Sequence, residues 1–142
     1  MNLDVCFSSN TDNWRTPSNL YNLFINNGYL DLFPFNCSYD QFHILYMFEK
    51  LYINPPFSRL KDLPSYIGNL ITLKNRIFLL MPSRTDTIYF HELLQFNPKI
   101  YFLKGRLHFN DSVKSAPFPT IILEFNDFDH CEYCIWSNEV LK

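Results

Sequence analysis

The sequence predicts an α/β fold built around a mainly parallel sheet. Segments with helical spacing of apolar residues alternate with short apolar runs through most of the 142 residues, and this alternation is typical of parallel strands covered by helices. Hydrophobic residues make up 47% of the chain and charged residues 18%, which is a globular rather than a disordered composition. The length fits one domain with a sizeable core. We therefore expect residues 1–142 to form a single domain.

The first half of the chain predicts one helix and two strands. Thr16 is the expected N-cap of a helix that has Pro17 in its first turn and Gly28 as its C-cap. A short strand follows at residues 29–33 and ends at Pro34. Residues 35–50 give no clear pattern, and a second strand at 50–54 runs into two consecutive prolines.

The second half of the chain alternates more regularly. Residues 60–74 have partial helical spacing, and Pro64 marks the expected helix start. The apolar run at 76–81, which stops at Pro82, is typical of a strand buried on both faces. We expect a helix at 86–96 and strands at 100–103, 107–109, 120–125 and 133–136.

Charge and cysteine content narrow the function classes. The formal net charge is −2, so any nucleic-acid contact has to be a local one. No stretch approaches the roughly 20 apolar residues of a membrane helix, and the first residues lack the pattern of a signal peptide. We therefore expect a cytoplasmic protein with reduced thiols and no membrane contact. Cys131 and Cys134 form one C-x-x-C without a matching second pair, so we expect ordinary cysteines and no metal. The alternatives for this motif are metal binding and a redox pair.

The strongest candidate site is NPPF at residues 54–57, because it directly follows a predicted strand. Proline fixes its own φ angle and has no N–H group, so the carbonyls of Pro55 and Pro56 become preoriented acceptors. The side chain of Asn54 adds another carbonyl acceptor, and Phe57 offers a flat surface for stacking a base. This loop suits a planar amine with two N–H donors. The alternative is a rigid turn without a chemical role.

Two more polar clusters follow predicted strands, at residues 83–86 and 104–106. Because ligands of open α/β sheets bind at the carboxyl ends of the strands, we expect all three clusters at one edge. Arg84 is a candidate contact for a phosphate or for an acidic partner. The same stretch also fits a helix N-terminus with Thr85 or Asp86 as the cap.

Basic side chains are expected around the mouth of this site. Lys104 and Arg106 flank Gly105, and Arg59 and Lys61 follow the NPPF loop. Together they would offset the acidic net charge where a nucleic acid approaches. A solvated turn is the alternative for residues 104–106. A histidine on the predicted helix, at position 91, is a weaker candidate, since a lone helical histidine is more often packed or exposed than functional.

The NPPF tetrapeptide matches the D/N/S-P-P-Y/F/W signature of amino-group DNA methyltransferases. Five further segments resemble the small, phage-type (Dam-like) DNA N6-adenine methyltransferases: TDNWRTP at 11–17, LDLFPFN at 30–36, PSRTDT at 82–87 with FH at 90–91, KGRLHF at 104–109 and APFP at 116–119. The matches follow the family order from about residue 11 to residue 125. Residues 126–142 form a divergent tail.

The resemblance implies a compact Rossmann-like fold that uses S-adenosylmethionine. It implies methyl transfer to N6 of a DNA adenine that has left the duplex. Asn54 and the Pro55 carbonyl would then hold N6, within a catalytic loop completed by Pro56 and Phe57. The residues implied on the cofactor side are Trp14, Thr16, Pro17, Asp31 and Pro34. Candidate nucleic-acid contacts are Arg59, Arg84, Asp86, His91, Lys104 and Arg106.

A second hypothesis belongs to another class of protein. Leu32 and Phe33 stand where the family has Pro-Cys, and Phe33 would either line or block the cofactor pocket. The alternative is a catalytically inactive, methyltransferase-like subunit of a larger viral or nucleic-acid-associated assembly, with protein partners. A viral protein would act in the host-cell cytoplasm or in the virion. RNA or a protein amide is the alternative substrate for an active enzyme.

Overall fold

Six strands form one mixed sheet in the computed structural model, which describes residues 14–32, 50–72, 74–126 and 133–141. The strands are β1 (Leu30–Asp31), β2 (Lys50–Ile53), β3 (Arg76–Pro82), β4 (Lys99–Phe102), β5 (Thr120–Phe125) and β6 (Tyr133–Ile135). The α-helices are α1 (Ser18–Asn26), α2 (Leu63–Thr72) and α3 (Ile88–Leu94). Short 3-10 helices span Phe57–Asp62, Phe109–Asp111 and Asn138–Leu141. No helix in these described ranges combines the length and the apolarity needed to cross a membrane.

The sheet order is β1-β2-β3-β5-β4-β6, with one strand reversed. Strands β1, β2 and β3 pair in parallel, and so do β4 and β6. Strand β5 lies between β3 and β4 and is antiparallel to both. The predicted α/β class with a mainly parallel sheet is confirmed at this level, because only β5 among the described strands runs against the rest.

Helices cover both faces of the sheet, so alternate residues of the central strands enter different cores. On one face, α2 and α3 pack against side chains that include Leu79 and Leu123. On the other face, Phe24 of α1 stacks on Tyr52 with ring centroids 4.2 Å apart. Burial on both faces explains why β3 and β5 are apolar over most of their length.

The C-terminal end of α1 confirms the predicted cap, and the N-terminal end does not. Gly28 adopts a φ of +85°, and its N–H and that of Tyr29 donate to the carbonyls of Ile25 and Phe24. This pair of bonds is a Schellman ending, which needs a left-handed residue that glycine supplies without steric cost. The prediction of Thr16 as N-cap is wrong. Pro17 occupies that position, and the Thr16 hydroxyl bonds to Tyr52 instead.

The expected strand at residues 107–109 is also wrong. Leu107 and His108 have no regular secondary structure, and Phe109 begins a 3-10 turn at Phe109–Asp111. Asn110 and Asp111 in this turn have φ values of 59° and 53°. Left-handed backbone at two consecutive residues cannot continue a strand. The turn instead brings the Asp111 carboxylate to the first residue of α1, where Oδ1 accepts from the Ser18 N–H at 2.8 Å.

Asp111 therefore caps α1 from a distant part of the chain. Its carboxylate also accepts a hydrogen bond from the Ser18 hydroxyl. The hydrogen bonds from Ser18 hold the pKa of Asp111 below its ordinary value of 3.8, with a smaller contribution from the positive charge of Arg15. A negative charge at a helix N-terminus is favourable in addition, because unpaired N–H groups point outward there.

Asp111→Asn should lower the melting temperature at pH 7, because it removes the ionised cap while keeping a side chain that tolerates a positive φ. A carboxyl with a lowered folded-state pKa adds stability above its unfolded pKa and loses it as the pH falls through the folded value. The difference between the two proteins should therefore shrink as the pH falls below 3.8. Thermal unfolding followed by circular dichroism at a series of pH values measures this, with the exposed Asp86→Asn as control. A difference that does not change with pH contradicts the assignment.

Candidate active site at the carboxyl ends of the strands

The three predicted polar clusters lie at one edge of the sheet. NPPF follows β2, residues 83–86 follow β3 and residues 104–106 come shortly after β4, and these three strands point the same way. The reversed strand β5 adds the loop that precedes it, at residues 116–119. The N–H of Ser83 donates to the Pro119 carbonyl at 2.9 Å, which ties this loop to the end of β3.

The side-chain amide of Asn54 is held in one orientation. Its Nδ2 donates to the backbone carbonyl of Trp14 at 2.6 Å and to Oγ1 of Thr16 at 3.1 Å. A backbone carbonyl only accepts hydrogen bonds, so the NH₂ group and not Oδ1 must face Trp14. The position of Asn54 Oδ1 on the other side of the amide is therefore fixed by the chain itself.

The oxygen of that amide is buried and has no hydrogen-bond partner within the described parts of the chain. A buried unpaired acceptor costs about 1–3 kcal/mol, and such groups in folded proteins call for an explanation. The two hydrogen bonds on Nδ2 prevent the amide from turning to relieve this cost. The geometry presents Asn54 Oδ1 as a preoriented acceptor for an N–H donor.

Two hydroxyl groups, those of Thr16 and Tyr52, extend the hydrogen-bond network of Asn54 into the core. Oγ1 of Thr16 lies 2.7 Å from the hydroxyl of Tyr52, a residue with no exposed surface. Burial raises the pKa of Tyr52, and the charge of Asp31 raises it further, while the Thr16 hydrogen bond works in the opposite direction. Tyr52 therefore stays protonated, and the Asn54, Thr16 and Tyr52 side chains form one connected network next to Asp31.

The two prolines of NPPF have different roles. The carbonyl of Pro56 accepts the Arg59 N–H at 2.9 Å, and this bond begins the 3-10 helix at Phe57–Asp62. The expectation that both proline carbonyls serve as preoriented acceptors is therefore corrected for Pro56. Pro55 is buried directly after Asn54, and its carbonyl remains the candidate second acceptor.

Phe57 of the NPPF loop packs with three other rings. We call the four residues the aromatic cluster: Trp14, Phe57, Phe109 and Phe118. Trp14 stacks on Phe57 with centroids 5.8 Å apart and planes at 17°. Phe118 meets Trp14 and Phe57 edge-on, at 5.1 Å and 5.4 Å, and the Phe109 ring meets Trp14 edge-on at 5.6 Å. The indole Nε1 of Trp14 is buried without a hydrogen-bond partner in the described residues.

The residues implied on the cofactor side separate into three groups. Trp14 lies with the predicted catalytic loop, since it contacts both Asn54 and Phe57. Thr16 and Pro17 are buried beside it, and Asp31 is half-buried at the end of β1 in register with Tyr52. Pro34, together with Phe33, lies outside the described residues. Leu32, just before them, is a core residue with 2% of its surface exposed.

Hydrogen bonds from α3 and its N-cap hold the polar cluster after β3 in place. The N-cap of α3 is Thr87. The expectation that Thr85 or Asp86 caps this helix is therefore wrong. The Thr87 hydroxyl donates to the Arg84 carbonyl at 2.8 Å, and Nε2 of His91 lies 2.8 Å from the Thr85 carbonyl. His91 therefore has a structural contact that stabilises the loop, and Arg84 and Asp86 remain exposed.

The predicted basic side chains are exposed or half-buried at this edge. Arg59 forms an ion pair with Asp62 at 3.0 Å, so its charge is partly balanced within the 3-10 helix. Lys104 and Arg106 are exposed on either side of Gly105, which has a φ of +77°. Arg106 lines an open cleft of about 370 Å³ that also contains Pro17, Asn19, Leu107, His108, Asp111 and Ser112.

The rings of Phe118 and Phe109 belong to the site although no role was predicted for them. Both lie in segments singled out for their resemblance, at 116–119 and 104–109, but only the fold brings these rings onto Trp14. The spacing of proline around Phe118 was the available signal, since proline on both sides stiffens a loop that presents a ring.

No protein-family model, curated protein or solved structure matches the chain. Within the described residues, no three histidine, cysteine or acidic side chains are grouped closely enough to hold a metal ion. The segment from 127 to 132, which contains Cys131, lies outside the described residues.

Proposed function

We propose that this protein is a DNA adenine N6-methyltransferase that uses S-adenosylmethionine. The observation that carries the proposal is Oδ1 of Asn54, which is buried and has no hydrogen-bond partner among the described residues, and which two hydrogen bonds on Nδ2 hold in place. The adjacent Phe57 ring adds a stacking surface. An acceptor and a ring in this arrangement fit a planar amine, and the ordered resemblance to the phage-type family narrows the amine to adenine N6.

Asn54 would bind one hydrogen of the adenine amino group through Oδ1, and the Pro55 carbonyl would bind the other. Two acceptors on one NH₂ group increase the electron density at nitrogen and fix its direction, so that positioning supplies most of the catalysis. Asn54 is an amide and takes up no proton, so the proton that N6 loses passes to water. Adenine N6 is paired in duplex DNA, so the base has to leave the stack before it reaches Phe57.

Asp31 and Thr16 fit the cofactor side of this site. Asp31 is a carboxylate at the end of β1 whose charge acts on Tyr52, and Tyr52 contacts Thr16, which in turn contacts Asn54. Asp31 would accept hydrogen bonds from hydroxyl or ammonium groups of the cofactor, on the same side as the acceptor for the base. Bound S-adenosylmethionine supplies the methyl group as an electrophilic sulfonium.

Surface charge and topology are compatible with the proposal. Arg84, Lys104 and Arg106 are exposed at the edge that carries NPPF, where phosphate contacts would compensate for a net charge of −2. A sheet with one reversed strand among parallel ones is compatible with a Rossmann-like fold.

Asn54→Ala should lower methyl transfer by roughly 100-fold or more, since it removes a group that positions the nucleophile. Transfer of labelled methyl groups to DNA measures the effect, with RNA and protein as parallel substrates. Asn69→Ala, an exposed position on α2, is the matched control and should keep full activity. Thermal unfolding of both variants verifies that they fold. Full activity of a folded Asn54→Ala protein contradicts the assigned role.

S-adenosylmethionine should stabilise the folded protein, because a ligand that binds only the folded state adds about 2.7 kcal/mol at 100 times its dissociation constant. Thermal melting at millimolar cofactor or demethylated cofactor measures the shift, and Asp31→Asn should reduce it. An unchanged melting temperature at millimolar ligand would refute the enzyme and favour the inactive subunit of an assembly.

A further inference from the structure

We propose that the indole N–H of Trp14 determines specificity by donating to a ring nitrogen next to the amino group held by Asn54. The inference rests on the proposed role of Asn54 as the acceptor for that amine. It assigns to the site a matched pair, one acceptor and one donor. Their ligand is the edge of adenine, where an amino group stands beside a ring nitrogen that accepts.

The first support is that both atoms are buried without partners in the described residues. Asn54 Oδ1 and Trp14 Nε1 belong to two residues that contact each other through the 2.6 Å bond from Asn54 Nδ2 to the Trp14 carbonyl. One is an acceptor and the other is only ever a donor. Two unsatisfied buried groups of opposite type on touching residues are what a ligand with a donor and an acceptor would satisfy.

The second support is the angle between the rings. The planes of Trp14 and Phe57 lie within 17° of each other, so a base stacked on the same face of Phe57 would be nearly coplanar with the indole. The indole N–H lies in its own ring plane, and it would therefore point within the plane of the base. With stacked rings about 3.5 Å apart, a centroid separation of 5.8 Å means that the indole covers Phe57 only in part.

The position beside the indole is covered by Phe118 when no base is bound. This ring meets both Trp14 and Phe57 edge-on and is half-buried in the loop at residues 116–119. A base that enters the site would move Phe118 aside and replace its contacts by stacking on Phe57.

Adenine offers two ring nitrogens next to its amino group. N7 accepts on one side of the amine, and N1 accepts on the other, which is the edge that enzymes contact on a flipped base. Replacing either nitrogen by C–H removes one acceptor and leaves the amine in place. A protein donor left without its partner in a buried site discriminates against such an analogue.

The direct test follows the indole N–H by nuclear magnetic resonance and needs no catalysis. The chain has two tryptophans, so a Trp14→Phe variant assigns the two indole signals and Trp136 serves as an internal reference. Single-stranded oligonucleotides with one adenine, one 1-deazaadenine or one 7-deazaadenine are added at saturating concentration. The Trp14 signal should move with adenine and lose its shift with one of the two analogues, which identifies the ring nitrogen. No shift, or equal shifts with all three, overturns the inference.

A kinetic test separates this inference from the proposed function. Trp14→Phe keeps a ring on Phe57 and should reduce kcat/KM for the adenine oligonucleotide by about 10- to 100-fold. It should cause no additional loss with the analogue that lacks the nitrogen contacted by Trp14. The control Trp136→Phe, which changes a ring packed on Tyr101, should behave like the unmodified protein.

The two proposals fail in different ways. Methyl transfer with an equal Trp14→Phe loss on all substrates refutes the role of Trp14 and keeps the methyltransferase. A selective shift of the Trp14 signal without any methyl transfer keeps the base site and refutes the methyltransferase. Unchanged kcat/KM in a folded Trp14→Phe protein also refutes the role of Trp14.

Discussion

The hydrogen bond from Asn54 Nδ2 to the Trp14 carbonyl is the contact on which the candidate site depends. It joins the segment before α1 to the end of β2, across 40 residues of sequence. It also fixes which end of the Asn54 amide faces the protein, and therefore where the unpartnered oxygen lies. The stacking of Trp14 on Phe57 brings the aromatic cluster over the same loop. The hydrogen bond therefore orients the acceptor, and the stacking holds the indole against Phe57.

Buried polar groups elsewhere in the sheet show what a purely structural network looks like. Glu124 of β5 has 1% of its surface exposed, and its two oxygens accept from Arg76 at 2.6 Å and from Tyr101 at 2.6 Å. Both carboxylate oxygens are therefore used, as expected for a charge that stays buried. Asn54 differs, because both hydrogens of its amide nitrogen are used while its oxygen has no partner in the described part of the chain. The proposed role of Asn54 as an acceptor for a ligand rests on this difference.

The reversed strand β5 gives the site a wall that parallel strands alone would not supply. The amino end of β5 lies at the edge that carries NPPF. The loop before β5 therefore brings Phe118 to the aromatic cluster from one side of β3, while NPPF follows β2 on the other side. Pro117 and Pro119 limit the backbone around this ring. The same reversal places Thr120 opposite Pro82, the last residue of β3. The loops after β2 and β3 and the loop before β5 therefore meet at one site.

Local patterns in the sequence determined the elements and the chemistry of the NPPF loop. The long apolar runs within β3 and β5 require burial on both faces, Gly28 supplies the left-handed residue that ends α1, and two prolines stiffen the chain after β2. The tertiary structure alone decided the orientation of Asn54, the position of Trp14 and the reversal of β5. Strand direction and amide orientation depend on partners far away in sequence, and apolar periodicity carries no information about either. For the same reason Thr16, a plausible cap by local chemistry, became a support for Asn54 once Tyr52 offered its hydroxyl.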